Sequence, residues 1–158
     1  MSDELSHIKD GQPSMVDVTS KADNLREARA SAVVKFPEAV FDKISESGFT
    51  SKKGPLFDTA RLAGVMAVKR TDELIPLCHS LPVSGCEVTF TSLENAVQIE
   101  CHVRTVGKTG VEMEALTGAS VAALTLYDMT KALSHDIIIT QVQLEEKSGG
   151  KRDFKRQA

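Results

Sequence analysis

The chain has 158 residues, 41% of them apolar and 26% charged, with a formal net charge of -3. This length fits one domain with a sizeable core; the acidic, polar start MSDELSHIKDG and the lack of an 18-residue apolar run argue against a secretory signal and a membrane span. Cys78, Cys86 and Cys101 are an odd set without a CxxC pair, which predicts a reduced, cytoplasmic protein without a structural zinc or iron–sulfur site.

The charge is uneven. Residues 147–158, KSGGKRDFKRQA, carry five basic side chains and one acidic one, or +4, leaving -7 on the remainder. A small mobile basic tail of this kind either screens an anionic ligand or only solubilises the terminus. An acidic body with one Tyr and no Trp speaks against nucleic acid as a partner. The organisation is therefore a single domain over 1–158, with 1–14 as a flexible leader and 147–158 as a basic, glycine-containing tail.

In chain order, MVDV at 15–18 is a short extended candidate. From Arg26 the run REARASAVVKF places Ala28, Ala30, Ala32, Val34 and Phe36 on one face at a period of two, the pattern of a strand despite its alanines. Pro37 suits the first turn of a helix running toward Glu46. SGFTSKKGP at 47–55 is a turn-rich loop carrying Lys52 and Lys53, placed where an anion meets a helix start. The next helix spans Leu56 to Thr71, with Leu62, Val65, Met66 and Lys69 at helical spacing. Two prolines in IPLCHSLPVSG forbid regular helix there. Strands follow at 86–92 and 97–106, joined by a hairpin turn at Glu94–Asn95. In the second strand Val97, Ile99, Cys101, Val103 and Thr105 face one way, Glu100 and His102 the other. A helix over 112–133 and a strand over 137–146 complete the order. The pattern predicts an α+β, ferredoxin-like split β-α-β unit: a mostly antiparallel sheet with helices packed on one face. The other, partly polar face suits a ligand or a subunit contact.

GKTG at 107–110 invites a nucleotide-loop reading, but a Walker loop needs glycine at position 102, which is His102. What remains is either an anion-favouring turn with Lys108 or a plain turn and cap, since Thr109 and Glu112 have capping-box spacing. Glu114 reads equally as a cleft carboxylate or a solvated one. Asp128 and Lys131 are three apart and can address one ligand. Glu114 and Asp128 lie fourteen residues apart, roughly 21 Å along a helix, so both reach one small reacting centre only if the ligand is long or a neighbouring subunit supplies one end. His79, held between Pro76 and Pro82, suits an acid–base or phosphate-contacting role, although loop histidines are more often structural. Cys78 reads as a small apolar residue rather than a nucleophile. Lys147 and Lys151 flank a glycine turn, and the loop lysines together suggest a phosphate-bearing ligand.

The stretches MVDVTSKADNLREARA, KKGPLFDTARLAGVMAVKRTDELIPLCHSL, GKTGVEMEALTGASVAALTLYDMTKAL and KSGGK resemble the cyclic pyranopterin monophosphate synthase family of molybdenum-cofactor biosynthesis. The resemblance runs from Met15 to Lys151. It implies a ferredoxin-like subunit in a homohexamer, a trimer of dimers with active sites at the dimer interface. It also implies a lyase that converts the cyclised GTP derivative, 3′,8-cyclo-7,8-dihydro-GTP, to cyclic pyranopterin monophosphate with release of diphosphate. By this likeness Asp128, Lys131, Lys53 and His79 carry the chemistry: the first two in acid–base work, the others shared between phosphate binding and proton transfer. Arg26, Cys78, Glu112, Glu114 and Lys147 contact substrate. Nothing demands a redox cofactor or a protein-bound metal, and magnesium can accompany the triphosphate. One departure is Ser80, where the family usually has proline after the Cys–His pair.

Overall fold

A computed structural model describes residues 8–158; the first seven residues of the expected leader lie outside the described residues. The elements are β1 (Ile8–Lys9), β2 (Gln12–Pro13), β3 (Asn24–Lys35), α1 (Glu38–Glu46), β4 (Thr50–Ser51), β5 (Gly54–Pro55), α2 (Leu56–Lys69), α3 (Thr71–Leu74), β6 (Val83–Leu93), β7 (Ala96–Gly107), α4 (Glu112–Thr130), β8 (Ile138–Ser148) and β9 (Phe154–Lys155).

The main sheet has the order β6-β7-β3-β8-β9, and all of its pairings are antiparallel. The order β6-β7-β3-β8 is that of the ferredoxin-like arrangement. The period-two reading of β3 holds: Ala28, Ala30, Ala32 and Val34 are buried, as are Val97, Ile99, Cys101, Val103 and Thr105 opposite them on β7. These faces carry α2 and α4. The opposite face is polar, with Arg29 bridging Glu100 at 3.4 Å and Glu146 at 3.2 Å, and His102 paired to Glu27 at 3.0 Å.

Small residues decide how closely α4 lies on this sheet. Ala115, Ala119, Ala122 and Ala123 are fully buried, and a Cβ added at Gly118 would lie 2.6 Å from both Cys101 Sγ and Val68 Cγ2. Backbone approach at that point thus excludes any side chain.

Five expectations need correction. MVDV is not a strand; it runs as coil into a turn closed by the Lys21 N–H on the Val18 carbonyl at 3.0 Å. The 47–55 loop contains the β4–β5 hairpin. On α2 the buried stripe is Leu56, Ala60, Gly64, Ala67 and Val68, whereas Leu62 is 63% exposed and Met66 is exposed too; the helices come closest at Gly64, where a Cβ would lie 3.1 Å from the Gly118 carbonyl oxygen. No capping box forms: Val111 is the N-cap of α4, without a side-chain cap, because Glu112 is engaged by Lys147 at 2.9 Å. The basic tail is not simply mobile; it turns back as β9, pairing Phe154 with Lys147 and Lys155 with Glu146.

Candidate active site

Lys53, Asp128 and Lys131 converge at the C-terminal end of α4. Lys53 Nζ donates to Asp128 Oδ2 at 2.9 Å and to the Asp128 carbonyl at 3.1 Å, while Lys131 Nζ meets Asp128 Oδ1 at 2.7 Å. Helical spacing places Lys131 beside Asp128. Lys53 arrives from elsewhere, on the tip of the β4–β5 hairpin, and a chain of phenylalanines holds that hairpin: Phe49 stacks on Phe57 at 4.6 Å, Phe57 on Phe90 at 4.9 Å, and Phe41 meets Phe49 edge-on at 6.1 Å. Lysine hydrogen bonds, first from Lys131 and then from Lys53, lower the Asp128 pKa to about 2, and the Lys131 ammonium is raised in turn by the carboxylate. All three side chains are about half exposed, at 52–53%. Surface ion pairs of this kind add little to stability, so the convergence of two lysines on one carboxylate points to ligand handling.

The remaining candidates gather at the N-terminal end of α4. A pocket of about 320 Å3 is lined by Cys78, His79, Leu81, Gly110, Glu112 and Glu114 among others. His79 Nε2 lies 2.6 Å from the Val16 carbonyl, so Nε2 is the ring nitrogen that donates there and the ring is held in place. Glu114 is only 4% exposed; burial first, then the Glu112 and Asp72 charges, push its carboxyl up toward the neutral form. Cys78 is partly buried, and burial followed by the Glu114 charge raises its thiol, which argues against a resting thiolate nucleophile. Alongside lies a cleft of about 490 Å3 holding Arg26, Glu112 and Lys147. Arg26 reaches the Gly107 and Lys108 carbonyls, both at 3.3 Å, which fixes the GKTG turn against β3.

The two groups share one helix but not one reacting centre. Glu112 and Asp128 are sixteen residues apart along α4, roughly 24 Å at 1.5 Å per residue. The MoaC family model matches residues 15–150, a span that includes both groups. This chain belongs to the MoaC family. It is 54% identical over 153 residues to a cyclic pyranopterin monophosphate synthase of Xanthomonas oryzae pv. oryzae (strain MAFF 311018), covering 95% of this chain and 92% of that protein. The corresponding protein of Xanthomonas axonopodis pv. citri (strain 306) is 53% identical over 152 residues, with the same coverage. It is also 50% identical over 157 residues to molybdenum cofactor biosynthesis protein 1 of Drosophila melanogaster, covering 98% of this chain and 27% of that protein.

In this MoaC-family chain the nine residues singled out from sequence fall into those two groups. Asp128, Lys131 and Lys53 touch one another; His79, Cys78, Glu112 and Glu114 line the second pocket; Arg26 and Lys147 line the cleft beside it. His79 does not join Asp128 within one chain. Sequence reasoning missed two supporting features. One is the Val16 carbonyl that orients His79, although MVDV stood among the matching stretches. The other is the phenylalanine chain under Lys53, which joins residues too far apart in sequence to suggest contact.

Proposed function

We propose that this chain is a cyclic pyranopterin monophosphate synthase, a lyase that converts 3′,8-cyclo-7,8-dihydro-GTP to cyclic pyranopterin monophosphate and diphosphate. The observation that carries the reading is the Lys53–Asp128–Lys131 cluster, exposed and ion-paired on a MoaC-family frame. Forming a cyclic phosphate with loss of diphosphate means that a sugar oxygen attacks the α-phosphorus while the bond to the β-phosphate breaks. Negative charge grows on the leaving diphosphate, and the Lys53 and Lys131 ammoniums stabilise it. In the resting protein Asp128 is a carboxylate and Lys131 an ammonium, so neither exchanges protons near neutrality until a ligand parts them. Substrate phosphates drawing the lysines away would raise Asp128 toward an ordinary carboxyl and free it for proton transfer during ring rearrangement. At the other end, His79 and Glu114, whose carboxyl is pushed upward by burial, line the pocket that would receive the purine-derived ring.

Both ends serve one substrate if a second subunit, running the opposite way, brings its own cluster to the His79–Glu114 pocket. This supports a site at a dimer interface, and the homohexamer built as a trimer of dimers is proposed from the family resemblance. Leu62 and Met66 on α2 and Leu124 on α4 are exposed apolar side chains of the kind that subunit contacts cover. Magnesium is proposed to accompany the triphosphate substrate, since it commonly binds through substrate phosphates and only one or two carboxylates. No described helix is long and apolar enough to cross a membrane, and three free thiols support a cytoplasmic location. The deciding experiment incubates the protein with the cyclised GTP derivative and follows diphosphate and pterin product together. Folded, oligomeric protein that forms neither would end the assignment.

A further inference from the structure

Residues 14–23, between β2 and β3, belong to no strand or helix. No ladder fixes their course, so their backbone groups find other partners. Four consecutive residues divide that task. The Val16 carbonyl takes the His79 ring at 2.6 Å, and the Thr19 carbonyl takes Lys108 Nζ at 3.1 Å. The two residues between them bond back into the segment. Asp17 Oδ1 accepts the Thr19 N–H at 2.8 Å, and the Val18 carbonyl accepts the Lys21 N–H at 3.0 Å.

The two outward carbonyls reach loops of different origin. His79 lies in the proline-bounded loop before β6 and lines the pocket with Cys78 and Glu114. Lys108 lies in the turn after β7 and lines the adjoining cleft with Lys21, Arg26 and Lys151. A carbonyl can orient either side chain only if its own direction is fixed, and here the turn alone fixes it. The bond from Asp17 Oδ1 to the Thr19 N–H is an Asx turn, which restricts the dihedrals between the two carbonyls. Bonds from the Thr19 hydroxyl and then its N–H hold the Asp17 carboxyl below its ordinary 3.8, so near neutrality the acceptor is a carboxylate. Asp17 is exposed, with Val16 and Val18 half-buried on either side, and it lines neither cavity. Its route to the site is therefore the turn.

We propose that Asp17 is a positioning residue for the candidate active site: its Asx turn directs the Val16 and Thr19 carbonyls that hold the His79 ring and the Lys108 ammonium. The effect on turnover rests on the synthase reading; the effect on His79 does not, and can be read without substrate.

Two measurements on the full chain keep these apart. In proton–nitrogen NMR the His79 Nε2–H, assigned by its loss in His79→Gln, should be protected from solvent exchange by its bond to Val16. It should persist in Asp17→Asn, whose amide oxygen accepts from Thr19 in the same way, and broaden away in Asp17→Ala. With the cyclised GTP derivative, Asp17→Ala should lower kcat/KM by about tenfold and Asp17→Asn by no more than about twofold, with melting temperatures unchanged. Glu46→Ala, an exposed acid on α1, should alter neither readout. A His79 signal that is absent from the wild type or survives in Asp17→Ala overturns the positioning role. So does Asp17→Asn behaving as Asp17→Ala does, or full turnover in Asp17→Ala. Loss of the signal in Asp17→Ala and its return in Asp17→Asn, in protein that forms no product, overturns the synthase reading and leaves the turn holding His79.

Discussion

Lys53 and Asp128, seventy-five residues apart in the chain, meet twice: the Lys53 ammonium donates to the Asp128 carboxylate at 2.9 Å and to its backbone carbonyl at 3.1 Å. The second bond ties the lysine to the last turns of α4, where carbonyls carry the negative end of the helix dipole. Lys53 is therefore held at the helix end by two contacts in the resting protein, and a phosphate arriving there meets a positioned cation.

The electrostatics of this cluster are testable by titration. Asp128 should show a carboxyl midpoint near 2 by NMR, lowered from an ordinary 3.8 chiefly by Lys131. A carboxyl depressed on folding contributes stability that is present above pH 3.8 and lost as pH falls toward 2. Lys131→Met should return the midpoint toward 3.8 further than Lys53→Met does. An unchanged midpoint in Lys131→Met would refute the ion-pair cause.

Activity should separate the two ends of α4 by subunit. Asp128→Asn should lower kcat/KM by about 100-fold or more if Asp128 transfers protons, with thermal stability little changed. Mixing His79→Ala with Asp128→Ala subunits should restore about a quarter of wild-type turnover, because half the dimers are mixed and each has one intact shared site. Lys53→Ala mixed with Asp128→Ala should restore none, since one chain supplies both residues. Equal recovery in the two mixtures contradicts this arrangement.

Glu114 gives a prediction of opposite pH sign. Burial raises its folded-state carboxyl pKa above the ordinary 4.5, so the folded protein holds a proton that the unfolded chain releases. Stability then falls as pH rises from 4.5 through the folded value. Glu114→Gln should raise the melting temperature relative to wild type at pH 7, with a smaller difference at pH 4. Scanning calorimetry at both values decides it.

Gly118 tests the packing that aligns α4. An open helical glycine changed to alanine gains about 1 kcal/mol, yet here the new methyl would lie 2.6 Å from Cys101 Sγ and from Val68 Cγ2. Gly118→Ala should instead destabilise by about 1–3 kcal/mol, lowering the melting temperature by roughly 2–4 °C per kcal/mol. A rise in melting temperature would show that the contact relaxes freely.

Much of the fold was legible because its signals are local. The period of two in β3 and β7, the prolines around Cys78–His79 and the proline-free run of α4 each report on a few adjacent residues. Errors arose where partners lie far away. Leu62 and Met66 stand at helical spacing on α2 but face outward, and the contact with α4 runs through Gly64 and Gly118, where little room is left for a side chain. Thr109 and Glu112 had capping spacing, but Lys147, thirty-five residues on from Glu112, holds the carboxylate.

The same division governs the site. Sequence by itself determined the chemical inventory, the lysines, the histidine and the three carboxylates, together with the Asp128–Lys131 spacing, because helix geometry is a local property. It also determined that Glu114 and Asp128 cannot meet on one small ligand, since the rise per residue is invariant. Only tertiary structure decided that Lys53 joins Asp128, that His79 sits at the opposite end of α4, and that Lys21, Arg26, Lys108 and Lys151 surround one cleft. Those placements depend on strand register and on the packing of phenylalanines and small residues. Both bring together segments whose separation in the chain carries no record of their contact.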